Sequence, residues 1–264
     1  MQRRIAISNH HGDVERPNEL QRAQQIERGP HGHEIDMYEI DFVSYHGRRL
    51  SAHDYDVDKM TRGSLLEEWI DFVVAEQRKI LWLDVKENLD IYMACGFAKF
   101  DCHALFATLA YKRAQLAQAG ATGQPLDLAD YVIIGCQEPE LHARIVAKNQ
   151  RLRRRHHYSW RMILDAPSVS SYYWQFVLPA LLKPWLRDWV CQDFRHSNYR
   201  QYSVISIDQS FFASRQEILD FIRSLHLAPD VMVIVNSYAR SEPPLALDNH
   251  HIVMQYDYTA ATDD

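Results

Sequence analysis

The sequence carries none of the glycine signatures that mark the commoner α/β enzymes. It has no GxSxG nucleophile elbow, no GxxxxGK[ST] phosphate loop and no GxGxxG dinucleotide turn. Serine-hydrolase, NTPase and nicotinamide readings therefore lack the feature each would need. Cysteine is scarce: Cys95, Cys102, Cys136 and Cys191 form no CxxC pair and no zinc-ligand spacing, and they read as reduced core thiols. Positive charge is in deficit, with a formal net charge of −6, which argues against a general nucleic-acid binder. No apolar run approaches a membrane span. After Arg3 and Arg4 the first apolar run is too short for a signal-peptide core, so the expected location is the cytoplasm.

What is present suits a soluble globular protein. A hydrophobic share of 47% is ample for a core, and 264 residues fit one large domain or two small ones. Short apolar runs at 4–9, 35–43, 80–85, 131–135, 161–164, 203–207, 231–235 and 252–255 read as strands. Between them, apolar residues recur at helical spacing over 18–28, 64–77, 102–119, 138–149, 172–190 and 215–225. Only the last connection, "SEPPLALDNH", reads as loop. No linker or composition shift splits the chain. Strands alternating with crossover helices predict a single TIM-type (β/α)8 barrel spanning 1–264, with a doubly wound open sheet as the competitor. Such a barrel keeps its chemistry at the C-terminal ends of the strands.

Polar residues collect at those ends. The first strand finishes at "NHHG", His10 and His11. Alternation puts Ala6, Ser8 and His10 on one face of it. The second reads "EIDMYEIDFV", where Met37, Glu39 and Asp41 share one face and Tyr38, Ile40 and Phe42 the other. With the bulky set turned to the helices, Glu39 and Asp41 face the barrel mouth, and two such carboxylates can hold a hard divalent cation. In "KILWLDVKEN", Ile80, Trp82, Asp84 and Lys86 share a face. That offers Asp84 as a third ligand and Lys86 as a cation for an anionic substrate. Gly47 suits a turn that returns His53 to the same end. Alone, each has a plainer reading: a solvated acid pair, an Asp–Lys pair, a loop histidine among 14 in the chain. Together they suit phosphoryl chemistry. A cation neutralises phosphate oxygens while one imidazole takes a proton from the nucleophile and another gives one to the leaving oxygen.

The stretch "NHHG…ERPNEL…HEIDMYEIDFVSYHGRRLSAHD", followed by "LDVKEN", resembles the opening of the glycerophosphodiester phosphodiesterases. That family's pattern runs H-R-G, P-E-N-T, E-x-D, a short turn, H-D and then E-x-K. It belongs to the phospholipase C-like phosphodiesterases, which also include phosphatidylinositol-specific phospholipases C and sphingomyelinase D-like toxins. The motifs cover about the first third of the chain. The resemblance implies a TIM-type barrel with His10 and His53 as the acid–base pair. Glu39, Asp41 and Asp84 would be ligands of Mg²⁺ or Ca²⁺, and His11 and Lys86 would lie at the phosphate. The substrate would be a small phosphodiester or a lysophospholipid, cleaved by attack of a neighbouring hydroxyl to give a cyclic phosphate that water then opens. The chain departs from the pattern in three places: His11 replaces an arginine, Asp84 a longer glutamate, and "RPNEL" reorders P-E-N-T. Two other readings stay open, a lyase that stops at the cyclic phosphate and an inactive barrel that binds a phosphorylated ligand or a protein partner.

Later strand ends supply Gln137, Asp165, Asp208, Asn236 and Asp257, of which Gln137 and Asn236 are the candidates for substrate contact. "RLRRRHHYSWR" reads as a solvated helix end rather than a site for lipid headgroups or RNA. "SSYYWQFVLPALLKPWLRDWV" reads as a buried helix or a lid, with membrane contact the less favoured alternative.

Overall fold

A computed structural model describes residues 4–9, 19–25, 34–45, 48–51, 63–86, 102–119, 126–136, 139–166, 183–196, 199–237, 245 and 251–257. Nine strands appear in it: β1 Arg4–Asn9, β2 Ile35–Tyr45, β3 Arg48–Ser51, β4 Ile80–Val85, β5 Val132–Gly135, β6 Arg161–Ala166, β7 Val204–Asp208, β8 Met232–Ser237 and β9 His251–Asp257. The helices are α1 Glu19–Gln25, α2 Leu66–Trp69 with a π-helical continuation Ile70–Glu76, α3 Cys102–Ala119, α4 Leu128–Tyr131, α5 Pro139–His156, α6 Lys183–His196 and α7 Arg215–Ser224. The class is mixed α/β, and every strand expected from the sequence is present.

The strands form one sheet in the order β1-β9-β8-β7-β6-β5-β4-β2-β3, parallel throughout except for the β2–β3 hairpin. Along this order the sheet curls. β1 pairs with β9 on one side and also with β2, from Ile5↔Ile35 to Asn9↔Ile40. Met37, Trp82, Ile133, Ile163, Val204, Met232, Ile234 and Val253, from seven different strands, pack into one apolar cluster on the concave face. The opposite parity, including Tyr38, Ile40, Phe42, Leu81 and Leu83, joins the larger core beneath the helices. Being buried on both faces explains why these strands read as nearly continuous apolar runs.

The helices follow from the same patterning. In α2 and its continuation, Leu66, Trp69, Ile70, Val73 and Val74 are buried at the i, i+3, i+4, i+7, i+8 spacing of a core-facing stripe. Tyr38 meets Phe72 edge-on at 5.8 Å between ring centroids. α7 starts where the Ser214 hydroxyl accepts from the Glu217 N–H at 3.2 Å, and it buries Ile218, Phe221 and Ile222. Glycine does not end these helices. Arg78 (φ 57°), His157 (φ 58°) and His226 (φ 49°) take the left-handed conformation after α2, α5 and α7.

Three elements differ from the sequence reading: β3, α5 and the single-turn α4, which the sequence pattern did not show. β3 was not expected; four residues with two arginines at the outset carry little strand pattern. α5 runs seven residues past 149 to His156, and its exposed Arg153, Arg154 and Arg155 face solvent as a helix end does. α6 begins at Lys183, with Pro184 in its first turn, where the missing N–H costs nothing. The rest of the stretch expected to be helical, 172–182, lies outside the described residues. No described helix is long and apolar enough to cross a membrane. Cys102, Cys136 and Cys191 are thiols rather than disulfide partners.

Candidate functional site

Parallel pairing of β2 with β4 sets Glu39 beside Trp82 and Asp41 beside Asp84. Met37 and Trp82 lie in the concave cluster, so the alternation that points them inward points Glu39, Asp41 and Asp84 the same way, one or two pleats nearer the C-terminal end. Asp41 and Asp84 are level neighbours. Glu39 sits one pleat lower, and its additional methylene helps it reach up. One carboxylate oxygen from each residue lies within 4.8 Å of the other two. All three residues are buried, between 1% and 2% exposed. Asp84, a methylene shorter than the glutamate of the motif it resembles, brings its carboxylate into the group.

Lys86 closes the cluster from above. Its backbone N–H donates to the Phe42 carbonyl at 2.9 Å, which holds the residue after β4 against β2. Its ammonium donates to Asp84 Oδ2 at 2.5 Å and lies 3.1 Å from Asp41 Oδ1. Burial alone would lower the Lys86 pKa. The charges of Asp41 and Asp84, the hydrogen bond to Asp84 and the charge of Glu39 outweigh it and hold the ammonium well above its ordinary value. Among the described residues, three carboxylates against one ammonium leave a formal excess of two negative charges in a buried place.

Carboxylate oxygens alone are the donor set of hard divalent cations. Asp84 Oδ1 is buried and has no hydrogen-bond partner among the described residues. Natural proteins seldom leave such an atom unsatisfied, and a cation would satisfy it. The cluster can therefore hold a metal ion, with Glu39, Asp41 and Asp84 as its ligands.

A second polar group occupies the same concave face on β7 and β8. Ser206 and Asp208 are buried, and Asn236 Nδ2 donates to Ser206 Oγ at 3.2 Å. Asn236 Oδ1 is buried without a hydrogen-bond partner among the described residues. Ser206 was not singled out from the sequence. Its signal was its parity in "VISID", where it shares a face with Val204 and Asp208.

Of the residues expected at the site, Glu39, Asp41, Asp84 and Lys86 come together, and Asn236 lies on the concave face of β8. His10, His11, His53 and Gln137 lie outside the described residues. The strands that lead to two of them are described. His10 follows Asn9, which pairs with Ile40 next to Asp41. His53 follows β3, whose last residue Ser51 pairs with Phe42 on the other side of Asp41. Ser51 is tied to the chain beyond: its N–H donates to the Ser64 carbonyl at 2.9 Å, and its hydroxyl accepts from the Ser64 N–H at 3.1 Å. Gly63 packs against this junction so closely that a Cβ would lie 2.4 Å from the Ser51 carbonyl oxygen.

His142, on α5, belongs to a separate network. One ring nitrogen contacts the Cys136 carbonyl at 3.1 Å and the other the Tyr202 hydroxyl at 2.8 Å. Burial lowers its pKa, against the opposing effect of the Cys136 contact.

No protein-family model and no curated protein matches the chain.

Proposed function

We propose that the chain is a metal-dependent phosphodiesterase on a single TIM-type barrel, acting on a small glycerophosphodiester or a lysophospholipid headgroup. The observation that carries this reading is the convergence of Glu39, Asp41 and Asp84 with Lys86 at the C-terminal ends of two neighbouring parallel strands. That is the end where barrels of this type keep their sites. The barrel itself is supported by the pairing of β1 with both β9 and β2 and by the apolar cluster that spans the concave face. Buried carboxylates cost stability, which favours a binding role over a merely structural one.

In this reading Glu39, Asp41 and Asp84 hold Mg²⁺ or Ca²⁺. When bound, the cation supplies electrostatic stabilisation to the charge that builds on the phosphoryl oxygens. Lys86 adds positive charge beside it. His10 and His53 act as the acid–base pair: one removes the proton from the attacking hydroxyl of the substrate, and the other protonates the departing oxygen. The bond from phosphorus to the leaving oxygen breaks as the bond to the attacking hydroxyl forms, giving a cyclic phosphate. His11 contacts the phosphate as a titratable group in place of a fixed guanidinium. Asn236 and Gln137 contribute to substrate binding. The support for the histidine roles is the motif resemblance, together with the chain positions of β1 and β3 next to Asp41.

Phosphorus NMR of the protein with glycerophosphocholine, lysophosphatidylcholine and glycerophosphoinositol, with Mg²⁺ or Ca²⁺ and with chelator, tests this function. A new phosphorus signal that requires the cation is expected: a phosphomonoester for a hydrolase, a cyclic phosphate for a lyase. No turnover of any of the three with either cation would refute it.

A further inference from the structure

The Lys86 ammonium occupies the side of the carboxylate cluster that an incoming cation needs. It sits 2.5 Å from Asp84 Oδ2 and 3.1 Å from Asp41 Oδ1, on two of the three residues offered as ligands. A divalent ion held by carboxylate oxygens approaches them to about 2.0–2.6 Å. With both cations sharing the Asp41 and Asp84 carboxylates, like charges would stand within a few ångströms of each other in a buried place, where their repulsion is strong. The side chain can leave. It lies past the strand end, and its side chain is 16% exposed against 2–3% for the aspartates it touches.

We propose that Lys86 is an internal cation that holds the cluster together in the metal-free chain and is displaced when a divalent ion enters. The inference rests on the reading of Glu39, Asp41 and Asp84 as a cation centre and adds a regulatory property to it. Metal affinity is set by competition with a tethered ammonium, so the site discriminates against monovalent ions, which gain too little from the carboxylates to expel it. Displacement also frees the ammonium to meet the anionic substrate, so that metal binding prepares the phosphate site.

Calorimetric titration of Mg²⁺ and of Ca²⁺ into the wild type, Lys86→Gln and Lys86→Arg tests the proposal without reference to activity. Gln keeps an N–H donor for the carboxylates but removes the charge. Its variant should bind the cations about ten- to a hundredfold more tightly, while Lys86→Arg stays within a few-fold of the wild type. Equal or weaker binding by Lys86→Gln, with clear binding by the wild type, overturns the inference and leaves the cation centre standing. No binding to any of the three proteins overturns both. If Lys86→Gln is unfolded without metal, Ca²⁺ should restore its circular dichroism, because the external ion replaces the internal one. Failure of Ca²⁺ to restore it also overturns the inference.

Discussion

Replacing Asp84 with Asn separates a cation centre from an ordinary buried ion pair, because the two predict different stabilities for the metal-free protein. Asn keeps the size of the side chain and an oxygen that accepts from Lys86, but it removes the charge. At the effective dielectric of about 20 that suits protein sites, the Asp84–Lys86 attraction at 2.5 Å amounts to about 7 kcal/mol. Asp84 also repels Glu39 and Asp41 across no more than 4.8 Å, which at the same dielectric is at least about 3.5 kcal/mol for each. Gain and loss nearly cancel. Asp84→Asn should therefore destabilise the metal-free protein by less than about 1.5 kcal/mol, whereas breaking a simple buried pair costs about 3–5 kcal/mol.

The cation response of the same variant should move far more. Losing one of three charged ligands weakens binding by about a hundredfold or more. At a cation concentration one hundred times the wild-type Kd, the wild type gains about 2.7 kcal/mol and the variant about 0.4 kcal/mol. Thermal melting with chelator and with Mg²⁺ or Ca²⁺ reads both quantities. A variant destabilised by about 3 kcal/mol or more without metal, yet stabilised by the cation as fully as the wild type, would refute the reasoning.

Two further outcomes follow from other parts of the fold. Gly63→Ala places a Cβ 2.4 Å from the Ser51 carbonyl and 3.2 Å from Leu50 Cβ, so it should cost about 1–3 kcal/mol in urea unfolding and reduce turnover by moving the base of the segment that carries His53; unchanged stability would show that the junction gives way freely. His142 is held neutral in the folded chain below the ordinary value of 6.5, so the unfolded chain binds its proton first, and folding stability is full above about pH 6.5 and falls as the pH drops towards the folded-state pKa. The wild type should lose stability relative to His142→Gln over that range, by at most about 1.4 kcal/mol per pH unit, and parallel stability curves for the two proteins would contradict the assignment.

The carboxylate cluster was legible in the sequence because strand alternation has a period of two. Once Tyr38, Ile40 and Phe42 are assigned to the helix side, Glu39 and Asp41 must face the other way, and the same argument carries Asp84 from Trp82. What alternation does not contain is register. That Asp41 stands level with Asp84 is a property of the β2–β4 pairing, and that Lys86 lies across both carboxylates follows from its backbone bond to Phe42. β3 was missed because Arg48 and Arg49 hide a short strand at the edge of the sheet, where charge is the usual protection against unwanted pairing. The extent of α5 was hidden for a related reason. Arginines in a last turn complement the helix dipole yet show no apolar period, and His157 ends the helix without the glycine that would have marked it.

The most direct test of the account is the anomalous scattering of a crystal soaked in Mn²⁺, a hard cation that favours the same oxygen ligands as Mg²⁺ and Ca²⁺. The account predicts a peak among the carboxylates of Glu39, Asp41 and Asp84, with the Lys86 ammonium withdrawn from Asp41 and Asp84. A soaked crystal with Lys86 still bridging the two aspartates and no peak between the three carboxylates would contradict it.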